Sequence, residues 1–487
     1  MQTGGLMERI PPAYCQVNAS YLSTSGIGIA KKGYTNPQNT AKLSKSGIFT
    51  NFTQKKDRPM EIRRDKYIND LKIRMNNGAI KVITGIRRVG KSYILFRLFY
   101  KYLIELGTPE DRIIRIALDD DQNEELRDAE ALSKYIRSLV KDKTKEYYIF
   151  LDEIQLAITE EELKNENSYI KVFSVLNGLL HLENIDIYVT GSNSKFLSSD
   201  ILTEFRGRGD EIHVLPLTFA EFMQPYNGDV YHGWAEYITY GGLPFTLTMQ
   251  TDEQKAKYLQ NLFNETYVKD ILSRNRITKS QELDSLIDIL ASSIGSLTNP
   301  NKLENTFKSV IGSSISANTI VKYISILQDS FIVSEVSRYD IKGKKHIGAI
   351  KKYYFEDVGL RNARLNFRQI EESHIMENVI YNELRYRGYN VDVGVVERRE
   401  PTDSAKRVYY EVDFVANKGS KRYYIQSALS IPDIEKEKQE SNSLNCINDS
   451  FGKLIVVKDV VKPHMNDKGI LTVGLFDFLL NKEILQF

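Results

Sequence analysis

The sequence predicts an α/β protein: a doubly wound parallel sheet, then a winged-helix unit, then a second, smaller α/β domain. Three observations carry this. Short apolar strands alternate with helices between residues 79 and 190, the pattern of a parallel sheet covered on both faces. A glycine-rich turn stands directly between the first strand and its helix. Three helical stretches followed by a hairpin pattern occupy residues 278–355.

Taken in order, residues 1–59 are rich in Ser, Thr, Asn, Gly and Lys, hold no sustained period, and are expected to be a disordered tail. The tail is basic: Arg9, Lys31, Lys32, Lys42, Lys45, Lys55, Lys56 and Arg58 stand against Glu8 and Asp57. A basic binding arm is the functional alternative, and Met60 is an alternative start. Residues 60–225 then read as the sheet domain. Tyr67, Ile68, Leu71 and Met75 recur at helical spacing. The strand at 79–84 leads into the glycine-rich turn and a helix over 93–107, and further strands follow at 113–118, 147–151 and 185–190. Helices near 132–140 and 170–180 separate them. Residues 226–277 are mostly helical, as a lid or linker. In 278–355, Ser316 N-caps a helix with Ile320, Ile324 and Leu327 on one face, and strands near Phe331 and Lys351 flank a turn. Residues 356–487 read as the second α/β domain.

Composition narrows the function classes. A chain of 487 residues exceeds a single core and should form about three domains. Hydrophobic content of 41% and charged content of 27% are those of a globular protein. No apolar stretch is long enough for a membrane span and no export signal is apparent, so the cytoplasm is expected. Two cysteines, Cys15 and Cys446, offer neither a disulfide framework nor a thiol site. The six histidines lack metal-ligand spacing, and Trp234 is expected in the core or an interface. Apart from its tail the chain is mildly acidic, which speaks against a broad grip on duplex DNA but allows a local patch.

The turn Gly85–Ser92, GIRRVGKS, has Walker A spacing between strand and helix. Gly85 and Gly90 permit the tight turn that converges backbone N–H groups on phosphate, and the following helix aims its positive end there. Lys91 supplies a charge for the β- and γ-phosphates, and Ser92 a hydroxyl for Mg²⁺. The expected nucleotide contacts are Gly85, Arg88, Val89, Gly90, Lys91, Ser92 and Tyr93. The strand YYIFL ends in Asp152 and Glu153, a Walker B element: Asp152 for Mg²⁺, Glu153 for the attacking water. Ser192 and Asn193, after the next strand, are sensor candidates. Arg206 and Arg208 lie in a glycine-spaced loop as arginine-finger candidates, within the chain or across a subunit interface.

These segments, with RGRGDEIHVLPLTFAEF and YGGLP at 240–244, resemble the bacterial and archaeal AAA-type ATPases that carry a winged helix and a C-terminal restriction-endonuclease-like domain. The resemblance runs from Met60 to about residue 480 and leaves out the tail. It implies ATP and Mg²⁺ as cofactors and a nuclease-like PD-(D/E)XK fold at the C-terminus. Glu377, Glu411 and Asp413 are the matching acids, but Gln426 and Ala428 stand where an acid and a lysine belong. A neutral amide is a poor Mg²⁺ ligand and alanine carries no charge, so the fold is expected without the cleavage chemistry.

The expected function is therefore Mg-ATP hydrolysis by a motor or switch. The alternative is a nucleotide-gated module with little turnover. It would hold DNA through Lys342, Lys344, Lys345, Lys351 and Lys352 of the hairpin, or a protein partner. Self-assembly into a homo-oligomer fits either.

Overall fold

The computed structural model describes residues 61–159, 161–162, 170–191, 207–275, 277, 280–368, 370–399 and 407–486. The expected basic tail and the candidates Ser192, Asn193 and Arg206 lie outside them.

Five strands form the first sheet: β1 (Ile80–Thr84), β2 (Ile113–Ala117), β3 (Tyr147–Asp152), β4 (Ile185–Thr190) and β5 (Gly209–His213). All pair in parallel, in the order β2-β3-β4-β1-β5. Alternate residues point to opposite faces. Ile83, Phe150 and Tyr188 face one core, shared with the Lys91–Tyr93 helix and its continuation through Ile94–Phe99 and Tyr100–Glu105. Val82, Leu151 and Val189 face the other, under the helices Ala129–Leu139 and Lys171–Leu179. Burial on both faces explains why these strands read as unbroken apolar runs. Edge strand β5 is GDEIH, mostly half-exposed, and its polarity hid it from the sequence reading.

Helices dominate the next stretch: Val230–Tyr240, then Asp252–Asn261 continuing through Leu262–Val268 and Lys269–Asn275. Trp234 is buried against Phe219, Tyr237 and Phe476. Ser280–Ser292, Pro300–Thr306 and Ala317–Asp329 follow, and Ser316 does N-cap the last, accepting from Thr319 N.

The hairpin β6 (Val333–Asp340) and β7 (Lys345–Phe355) does not stand apart as a wing. It joins β8 (Asn390–Arg399), β9 (Arg407–Lys418), β10 (Lys421–Ala428), β11 (Gly452–Val457), β12 (His464–Met465) and β13 (Ile470–Gly474) in one sheet. The order is β12-β13-β11-β10-β9-β8-β6-β7. The join is parallel, Arg338–Asp340 of β6 against Val393–Val395 of β8. One apolar core runs from Ile62 and the Lys91 helix through the helical stretch to Tyr423, Val456 and Leu485. The boundary expected at residue 355 thus crosses a continuous sheet and a continuous core.

Candidate phosphate and metal site

All five strand ends share the carboxyl edge of the parallel sheet, where ligands of open α/β sheets bind. β1 delivers Gly85–Ser92 there. Gly85 has φ 137°, and a side chain on it would meet Val214 O at 2.3 Å, so only glycine fits. Gly90 has space around it, but its φ of 99° favours glycine. Arg88, exposed, takes φ 64° between them. Val89 buries its side chain, leaving only its backbone for phosphate, and Tyr93 stands half-exposed beside Ile62 and Glu61.

Lys91 is almost fully buried beneath the loop, with Nζ donating to Gly85 O at 2.9 Å and Ile86 O at 3.0 Å. Burial pushes its ammonium down to about 8, against the pull of Glu153 and Asp152. Ser92 Oγ donates to Asp152 Oδ1 at 3.0 Å. Asp152 is buried, and desolvation raises its pKa against hydrogen bonds from Thr190 and Ser92. A seryl hydroxyl beside a buried carboxylate, next to a phosphate loop, is the donor set that holds Mg²⁺ on a nucleotide. The residues present fit the cofactor.

Glu153 follows with φ 53°, an uncommon conformation for a side-chain-bearing residue and one that turns the chain sharply after Asp152. Its N–H donates to Thr190 Oγ1 at 3.1 Å, and its carboxylate accepts from Gln155. Thr190 was not anticipated. It ends β4, the strand inserted between β1 and β3, and its hydroxyl also donates to Asp152. The signal was a threonine closing an apolar strand beside the acidic one.

Arg208 is exposed, but its position excludes its own phosphate loop. It precedes Gly209, which pairs with Ile80, whereas His213 at the far end of β5 pairs with Thr84. Arg208 therefore sits about 15 Å along the strand from the loop, farther than an arginine side chain spans.

The remaining candidates divide. Lys342, Lys344 and Lys345 are exposed on the hairpin turn. Lys351 pairs with Glu335, and Lys352 is buried with Nζ 2.7 Å from Glu377 Oε1 and 2.8 Å from Glu411 Oε1. Lys351 and Lys352 therefore do not belong to a phosphate-facing patch, because their strand is part of the sheet rather than a free wing. Two of the three nuclease-type acids are occupied by this lysine. Asp413 accepts from Ser427 N at 2.8 Å and Ser427 Oγ at 3.0 Å, and burial pushes it up to about 7. Among the described residues, no group of three or more His, Cys, Asp or Glu is arranged to hold a metal, and no helix is long and apolar enough to cross a membrane.

The segments around the site interlock. Thr218 and Glu221 make a capping box at the helix Phe219–Phe222. Leu217 N donates to Gly242 O at 2.8 Å, and Asp357 accepts from Gly242 N at 2.7 Å and Leu360 N at 2.9 Å. A side chain on Gly241 or Gly242 would strike Asp357 or Leu217 O, which accounts for the paired glycines of YGGLP.

Residues 77–223 match the model of the AAA domain, and residues 231–371 match a domain of unknown function (DUF8612). An uncharacterized protein of Haemophilus influenzae is 30% identical over 424 residues, covering 86% of this chain and 98% of that protein. One from Methanocaldococcus jannaschii is 29% identical over 394 residues, covering 77% of this chain and 81% of that protein. Among solved structures, the Aeropyrum pernix ORC1 protein in complex with DNA is 13% identical, covering 63% of this chain and 92% of that chain, at a TM-score of 0.25. A DNA polymerase III gamma subunit-related protein of Thermotoga maritima is 11% identical, covering 54% and 99%, at 0.24. Structural similarity at that level transfers neither function nor site.

Proposed function

This chain belongs to the family of the Haemophilus influenzae relative and carries an AAA domain at residues 77–223, and on that premise we propose that it is a Mg-ATP hydrolase acting as a motor or switch. The observation that carries the reading is the convergence of Ser92, Asp152 and Thr190 beside the Gly85–Ser92 loop, with Ser92 Oγ 3.0 Å from Asp152 Oδ1. Backbone N–H groups of Arg88 to Ser92 receive the phosphates, and the Lys91 ammonium donates to the anion. Ser92 and Asp152 would hold Mg²⁺, which would supply positive charge against the phosphates. Glu153 orients the attacking water and accepts its proton, while Thr190 fixes the backbone of Glu153 and the carboxylate of Asp152. Arg208, remote from its own loop, serves the site of a neighbouring copy.

The test is phosphate release from ATP by wild type, Lys91→Ala and Glu153→Gln, with and without duplex DNA. Lys91→Ala should lose ATP binding, and Glu153→Gln should bind ATP yet turn over about a hundredfold slower or less. Unchanged turnover in Glu153→Gln removes that residue from the water site. The exposed lysines 342, 344 and 345 favour a second reading, a nucleotide-gated DNA- or protein-binding module. ATP binding without turnover under either condition would favour it over the first.

A further inference from the structure

Four carbonyl groups of the phosphate loop are held by side chains, two of them from outside the loop. Lys91 takes those of Gly85 and Ile86. Tyr267 Oη donates to Arg87 O at 2.8 Å, and Arg64 Nη1 donates to Val89 O at 3.3 Å. Lys91, the phosphate ligand of the proposed function, belongs to the loop itself. The other two donors come from elements outside the loop. Both come from outside the AAA match at 77–223: Arg64 just before the helix Asp65–Arg74, Tyr267 within Leu262–Val268.

Both side chains are fixed by their surroundings. Arg64 is buried, ion-pairs with Glu221 at 3.1 Å, donates to Leu215 O at 2.7 Å and lies 4.7 Å over the Tyr67 ring. Glu221 in turn accepts from Tyr386 Oη at 3.1 Å. The Tyr267 ring is buried in the core that continues from the sheet.

In a trans peptide the C=O and the following N–H point in opposite directions. Fixing Arg87 O on the Tyr267 hydroxyl therefore fixes the Arg88 N–H on the opposite side, and fixing Val89 O on Arg64 does the same for the Gly90 N–H. Between the two anchors lies Arg88 at φ 64°, a conformation that costs free energy unless its neighbours impose it.

We propose that Arg64 and Tyr267 are positioning residues of the phosphate site, holding two peptide units of the loop with their N–H groups toward the anion before it binds. This rests on the Mg-ATP reading. Preorganised amides bind without first paying to reorient.

The test is calorimetric binding of Mg-ATP and of inorganic tripolyphosphate to the full chain, well below its unfolding temperature. Wild type is compared with Tyr267→Phe, Arg64→Met and Arg64→Lys. Tyr267→Phe should weaken both ligands by the same factor, roughly five- to tenfold, because the defect lies at the phosphates. Arg64→Met should weaken them further, and Arg64→Lys should recover part of the loss. Should Arg64→Met fail to fold, Tyr267→Phe decides alone. Normal wild-type binding with unchanged affinity in Tyr267→Phe overturns the inference and leaves the ATP reading standing. A wild type that binds neither ligand overturns both.

Discussion

Lys91 carries opposite demands in one side chain. Burial disfavours its charge and lowers it from 10.5 to about 8, whereas a bound triphosphate holds the proton in place. Binding above about pH 8 must therefore take up a proton. Affinity for ATP should be flat with respect to Lys91 below that pH and fall toward tenfold per unit above it, as pH-dependent calorimetry would reveal. The folded-state value lies below the unfolded one. Lys91 thus costs the nucleotide-free protein stability at neutral pH, a cost relieved as pH rises from about 8 toward 10.5. The residues proposed for this chemistry were legible because each ends an apolar strand or sits in a fixed spacing: Lys91, Ser92, Asp152 and Glu153. Thr190 was not, since a threonine after IDIYV is ordinary until β4 is seen lying beside β3.

At the scale of elements, the short helix Phe219–Phe222 is held by few backbone bonds and depends on its cap. Thr218 Oγ1 accepts from Glu221 N at 3.2 Å, and Glu221 Oε2 accepts from Thr218 N at 3.1 Å. Glu221 also holds Arg64, so the box fixes a carboxylate as well as a helix end. Thr218→Ala should cost about 1 kcal/mol in chemical denaturation. Because the loss of the cap frees Glu221, ATP affinity should weaken with it; a stability loss with affinity untouched would separate the cap from the site. The LPLTFAEF segment was recognisable as a string, but its role needed Leu217, Gly242 and Asp357 brought together. Strand β5 was missed because its half-exposed residues follow neither an apolar run nor a clean alternation.

For the whole molecule, the direction of β5 determines how the site can be completed. Arg208 and the Gly85–Ser92 loop lie at opposite ends of one parallel sheet, so an arginine contribution from Arg208 requires a second copy. Turnover per chain should rise with protein concentration. Arg208→Ala should bind ATP normally and hydrolyse it about a hundredfold more slowly or less. Mixing Arg208→Ala with Glu153→Gln should restore part of the rate, since each supplies what the other lacks. Concentration-independent turnover with no effect of Arg208→Ala would assign the protein a site complete within one chain.

The sequence by itself determined the parallel sheet, the phosphate loop and its acidic partner strand, because these depend on spacing and period within a few residues of one another. Only the tertiary structure decided where the hairpin belongs, what Lys352 faces and which end of the sheet holds Arg208. The β6–β8 pairing joins residues more than fifty positions apart, and nothing in either strand announces the other. Lys352 sits in a lysine-rich strand that suggests solvent, yet it is buried between Glu377 and Glu411 from different elements. Local pattern fixes which faces are apolar. Which polar groups then meet inside is set by contacts distant in sequence, and these decide how the site is supported.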